Sequence, residues 1–196
     1  ANKLDADGLI APAWKEPSQD GKLMAFGLYR AGDENTTLYV MDTATGTWLA
    51  DEIPGKVNSV QWLPDGSGFF YSRLADPKNP YTVQIKYHKL GTHQRQDPVL
   101  FEQYKEGPLS STWGPFASID RKARWMILGY WTGTNSNDLW VVDLDRWFKS
   151  GEFKPQEIVK GEKATFSGDV IGDTFYMQTS LDAPNGRVIA VDLKNP

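Results

Sequence analysis

The chain has 196 residues, 13% of them aromatic and 40% hydrophobic, enough to bury a core and to exclude disorder. Its 21 Lys and Arg stand against 25 Asp and Glu, giving a net charge of −4 with scattered cations and no positive field for nucleic acid. Cys is absent, which removes disulfides, thiolate metal sites and a Cys nucleophile, and no window reaches the roughly 18 apolar residues of a membrane span, so a soluble chain is expected.

The first ten residues lack the basic-then-apolar pattern of a signal peptide, and the start at Ala1 reads as processing or trimming, with the compartment open between cytoplasm, periplasm and the exterior. Asp5-Ala6-Asp7-Gly8 has the look of a calcium loop's opening, but Leu9 follows and no Glu lies at ligand distance, so a terminal turn is expected. Asp20-Gly21-Lys22 is a turn, followed by a β-prone run over 23–28 and a second over 37–42 that ends in Met-Asp. The same order returns at Pro64-Asp65-Gly66-Ser67, with runs over 68–72 and 83–88. It returns again at Asp120-Arg121-Lys122 with runs over 124–130 and 138–143, and at Gly172-Asp173 with runs over 174–178 and 187–192. A further strand precedes each turn, clearest over 57–62 and 113–119, and short fourth strands are expected over 99–102 and 156–159. One helical turn is expected over 145–149.

A period of about fifty residues built from four-stranded meanders predicts a β-propeller, because such small sheets bury too little alone and need radial neighbours. A sandwich of equal length would not repeat turn chemistry and a strand-end Asp in the same order. The expected blades span about 9–55, 56–106, 107–160 and 161–196 of one propeller segment.

Three stretches carry a family resemblance. Ser18-Gln19-Asp20-Gly21-Lys22-Leu23-Met24-Ala25-Phe26 resembles the blade opening of the prolyl oligopeptidase family. Val60-Gln61-Trp62-Leu63-Pro64-Asp65-Gly66-Ser67-Gly68-Phe69-Phe70-Tyr71 and Ile85-Lys86-Tyr87-His88-Lys89-Leu90-Gly91-Thr92 are similar to two further motifs of that family, in the correct order. The resemblance implies about four blades of a seven-bladed propeller. It also implies an α/β-hydrolase domain as partner, which would supply the Ser, Asp and His, and short peptides as substrates screened by the propeller. An alternative is a stand-alone propeller that binds peptide or glycan or scaffolds a complex.

The chain itself offers no expected catalytic residue, metal site or cofactor. No Gly-x-Ser-x-Gly elbow occurs, and no Gly-rich segment follows a strand and opens a helix to cradle phosphate. His88 is expected to end a strand with a local hydrogen bond, and His93 to lie in a solvated turn. Asp42, Asp143 and Asp192 recur at strand ends as turn caps. Trp62, Trp113, Trp125 and Trp140 are expected to fill space between blades, whereas Trp131 opens a polar loop over 131–136 that should be exposed.

In a meander, the start of the innermost strand and the loop between the second and third strands share one face. That face would hold 30–35, 73–81, 131–136 and 181–185, with Lys56 and Val57 nearest the channel. In the resembled family an aromatic near the start of an inner strand touches peptide. Val57 takes that place here, and the rim candidates are Arg73, Tyr81 and Trp131. An incomplete ring would leave apolar outer faces on its end blades, which predicts self-association.

Overall fold

The turn and strand signals resolve, in a computed structural model that describes residues 4–196, into antiparallel meanders in which each strand pairs with its neighbours in sequence. The chain divides into two compact units, Ala1–Glu102 and Gln103–Pro196, each with two sheets. In the first unit, β1 (Ile10–Pro17), β2 (Leu23–Arg30), β3 (Thr37–Asp42) and β4 (Trp48–Ile53) form one sheet. The other contains β5 (Asn58–Trp62), β6 (Gly68–Leu74), β7 (Val83–Lys89) and β8 (Val99–Glu102). In the second unit, β9 (Gly114–Ile119), β10 (Trp125–Gly133), β11 (Ser136–Asp143) and β12 (Gln156–Val159) form one sheet. β13 (Phe166–Ile171), β14 (Thr174–Thr179) and β15 (Arg187–Asp192) form the last, which has three strands rather than the expected four. These are β-propeller blades, up-and-down sheets that find their core against a neighbouring sheet.

Strand alternation decides which side chains meet in each seam. In the first unit Ala25, Leu38, Val40 and Ile53 of one sheet cluster with Val57, Val60, Trp62, Phe69 and Tyr71 on the other side. In the second, Trp125, Ile127, Leu139 and Val141 cluster with Ala164, Phe166, Phe175, Met177 and Leu193. Each fully buried aliphatic or aromatic side chain contributes about 1.5–3 kcal/mol, so the seams are the main source of cohesion within each unit. Close approach requires glycine at several strand positions, Gly27 and Gly168 among them. A Cβ on Gly27 would lie 2.5 Å from the Trp14 indole nitrogen, and one on Gly168 would lie 2.0 Å from the Tyr176 carbonyl oxygen.

Polar crossings add direction to this apolar packing. The Trp14 indole donates to the Val57 carbonyl and the Trp62 indole to the Glu16 carbonyl, both at 3.0 Å. Thr36 donates its hydroxyl to the same Val57 carbonyl at 2.7 Å, and its own carbonyl accepts from the Val57 N–H. In the second unit, Asn137 on β11 brackets Phe166 on β13 by donating to its carbonyl and accepting from its N–H at 3.0 and 2.8 Å.

The turns form as their chemistry predicts. Asp20 and Asp65 accept from the N–H groups of Lys22 and Ser67, and Asp5 accepts from the N–H of Leu9, making the expected terminal turn. Asp42 accepts from the N–H and hydroxyl of Thr45, and Asp192 from the N–H of Lys194. Asp143 caps α1 (Leu144–Ser150) by accepting from the Arg146 N–H at 2.9 Å, and Gly151 ends that helix with φ of 74°. These caps extend the expected single turn to seven residues.

Candidate functional site

In the first unit, β5 begins beside the end of β6, with Asn58 opposite Ser72. Val57 and Arg73 therefore lie close together, but their side chains differ in exposure. Val57 is completely buried in the seam, so its side chain is not presented at the strand ends, and its carbonyl is held by Trp14 and Thr36. The Arg73 guanidinium lies over Gly55 and donates to the Leu74 carbonyl and the Gln94 side chain, each at 3.2 Å. Tyr81 is 46% exposed on the β6–β7 loop. Thr82 stiffens that loop by donating to the carbonyls of Asp76 and Asn79, and Asn79 accepts from the Tyr81 N–H.

In the second unit, Trp131 on β10 is opposite Gly114 at the start of β9. Its ring lies 5.3 Å from that of Phe116 and is half-buried. The polar loop expected over 131–136 is instead a hairpin with only Thr134 and Asn135 between the strands. Pairing of Gly133 with Ser136 and a Thr132–Ser136 hydroxyl bond extend both strands. Trp113, expected between blades, is 81% exposed immediately before Gly114. The positive φ at Gly114 turns the chain there, so the strand pattern assumed for Trp113 stops one residue short of it. Trp62 and Trp125 are buried as expected, and Trp140 is half-buried.

The densest polar cluster lies within the first unit's seam. His88 on β7 is fully buried. Its Nδ1 is 2.9 Å from an Asp97 carboxylate oxygen and its Nε2 is 2.9 Å from Asp51 on β4. Tyr71 donates its hydroxyl to Asp97 at 2.8 Å, and the Gly91 N–H donates to Asp51 at 2.7 Å. Burial opposes charge on His88, but the hydrogen bonds that its ring nitrogens make to Asp97 and Asp51 outweigh it and raise the ring above its ordinary 6.5. Burial first, then the Asp97 charge, raises the Tyr71 phenol, so it remains a donor.

His88 therefore does not make the expected local bond at a strand end. Its carboxylate partners lie 9 and 37 residues away, beyond the reach of any local motif. With both ring nitrogens engaged, it is structural in its bonding. His93 behaves as expected, its side chain accepting from the Arg95 N–H in a short 3₁₀ turn over Gln94–Gln96.

Among the described residues no group of three or more His, Cys, Asp or Glu has the arrangement of a metal site, and no helix is long and apolar enough to cross a membrane. Residues 1–196 match the family described as prolyl oligopeptidase, N-terminal beta-propeller domain. Among curated proteins, the chain is 27% identical to a prolyl endopeptidase of Elizabethkingia meningoseptica over 100% of this chain and 28% of that one. It is also 27% identical to the dual function macrocyclase-peptidase POPB of Amanita bisporigera over 98% of this chain and 28% of that one. A solved prolyl endopeptidase structure superposes with a TM-score of 0.83 at 29% identity, covering 100% of this chain and 28% of that one. Prolyl oligopeptidase B of Galerina marginata, bound to a 35mer hydrolysis and macrocyclization substrate, gives a TM-score of 0.80 at 25% identity over 99% of this chain and 28% of that one. The chain thus spans about 28% of the length of these relatives. Sheet by sheet and across its whole sequence, it belongs to the N-terminal β-propeller family of the prolyl oligopeptidases.

Proposed function

We propose that this chain is the non-catalytic propeller portion of a prolyl-oligopeptidase-like serine endopeptidase and screens short peptides on their way to an α/β-hydrolase domain. The observation that carries this reading is the match of the whole chain to the family's propeller domain, combined with its 28% share of the peptidases it resembles. The buried histidine supports it, since both its nitrogens are committed to carboxylates and neither faces a substrate.

Screening would fall to the rim side chains. Tyr81 and Trp131 present aromatic surface, Arg73 presents a cation, and Val57 contributes through the backbone it fixes beside them. Trp113 joins Trp131 as a rim aromatic that the sequence pattern had assigned to packing.

The test compares residues 1–196 with the longer peptidase containing them, using a chromogenic Pro-X peptide. The isolated chain is expected to give no turnover above buffer, and the longer protein to cleave. Turnover by the isolated chain that survives repurification overturns the reading. In the longer protein, Tyr81→Ala and Trp131→Ala are expected to change KM or the upper size of cleaved peptide more than kcat on the shortest substrate. Unchanged values for both would remove the rim from the proposal.

A further inference from the structure

Two carboxylates bond the His88 ring, Asp51 from β4 and Asp97 from the segment before β8. Asp97 also accepts from Tyr71 of β6 and is felt by Lys86 and Tyr87 of β7, and the Arg73 charge of β6 acts on Lys86. β5 contributes no titratable side chain, and Arg95 of the nearby 3₁₀ turn is exposed. Asp51, His88, Lys86 and Asp97 are all at most 8% exposed.

The bonding pattern distinguishes the two forms of the ring. A neutral imidazole has one N–H, so it can donate to one of the two flanking carboxylates only, and its other nitrogen would turn a lone pair toward a carboxylate oxygen at 2.9 Å. An imidazolium donates to both, and its charge offsets that of the carboxylates at low dielectric. Asp51 belongs to the first sheet and His88 to the second, with Asp97 in the connection between β7 and β8, so the N–H to Asp51 is the one that crosses the seam.

We propose that His88 is a proton-operated clasp between the two sheets of the first unit: doubly protonated it ties Asp51 to Asp97, and loss of one proton opens the tie. This goes beyond the peptide-screening role and does not depend on it. Tyr71 and the Gly91 N–H keep one donor on each carboxylate after release, so the clasp loosens the seam without stranding either acid.

The direction with pH follows from the raised ring. The stabilisation is complete below about 6.5, the ordinary value, and is lost as pH climbs through the higher folded value. Lys86 has the opposite sign. Burial, then the Arg73 charge, lowers its proton affinity, so its penalty is relieved as pH rises toward 10.5. Lys86→Met keeps the buried stem and removes that contribution.

The experiment is performed on the 196-residue chain carrying His93→Gln, so that His88 is the remaining imidazole. Nitrogen NMR followed against pH should show the ring losing its second N–H only above 6.5. A ring that loses it at or below that value overturns the proposal. In the Lys86→Met background, the urea midpoint should fall as pH rises from 6.5 to 9.5. His88→Gln should flatten that fall. Should His88→Gln not fold, Asp51→Asn provides the second arm: it keeps an acceptor oxygen but removes the charge, so the ring should lose its proton at lower pH than in the parent. An unchanged titration in Asp51→Asn also overturns the proposal.

Discussion

Trp14 and Trp62 cross one seam in opposite directions, each burying an aromatic body and ending its indole N–H on a carbonyl of the facing sheet. Trp62→Phe keeps most of the apolar area but leaves the Glu16 carbonyl without its indole donor. We expect a loss of about 0.5–1.5 kcal/mol in urea unfolding for that change, and about 3–5 kcal/mol for Trp62→Ala. Backbone crowding predicts a second residue effect. On Gly168 an added methyl would meet the Tyr176 carbonyl carbon and the Met177 Cα, both at 2.9 Å, as well as the carbonyl oxygen, and backbone cannot rotate aside. Gly168→Ala should therefore lower the unfolding midpoint by an amount equivalent to about 1–3 kcal/mol. Trp62 and Trp125 were legible because they stand at the end and at the start of strands whose alternation points them inward. Trp113 was not, because the strand pattern seemed to include it and the backbone turns at Gly114. Nor were the partners of His88, whose positions depend on which strands become neighbours.

The recurrent elements are turns closed by an aspartate, and four such acids, Asp20, Asp42, Asp65 and Asp173, are lowered by the donors they accept from. Hydrogen bonds from the Lys22 N–H and then from the Ser18 hydroxyl hold Asp20 down to about 2. The N–H of Thr45 and of Ser67 lower Asp42 and Asp65, and the Lys194 side chain and Trp125 indole lower Asp173. The stabilisation from such depressed acids is present above about 3.8 and disappears as pH falls through the folded values, toward about 2 for Asp20. Acid titration followed by circular dichroism should accordingly show turn-dependent loss below pH 4, reduced in Asp65→Asn. At α1, Asp143 both caps the helix and pairs with Arg124 at 2.8 Å. Asp143→Ala should cost about 1 kcal/mol, chiefly through the cap. Turn chemistry and caps were readable because they are local. The length of the β10–β11 hairpin was not, since a polar Thr-Gly-Thr-Asn-Ser run resembles a loop until cross-strand pairing extends it.

For the molecule as a whole, the sequence repeat was sufficient for the architecture because turn, strand and strand-end Asp recur in one order. The division into two compact units had no comparable signal, as no change of composition marks residues 102 and 103. Each unit also carries an apolar face away from its seam. The first sheet has a groove of about 530 Å³ lined chiefly by Met24, Phe26, Leu28, Met41 and Trp48. The last sheet exposes Ile171 and Val188, each at 69%, and Tyr176 at 46%. We propose that the isolated chain self-associates through these faces. Sedimentation should show mass rising with concentration, and Val188→Lys with Phe26→Lys should reduce it. A concentration-independent monomer would count against the idea.

The placement of the indoles gives each unit its own optical reporter. Trp62 in the first and Trp125 in the second are shielded from water, whereas Trp113 emits from a solvated position at all stages. Replacing Trp113 would remove that constant red-shifted contribution, and the signal lost on replacing Trp62 or Trp125 would be the part that each contributes from its own seam. Fluorescence could then record whether the two halves melt in one step or in succession.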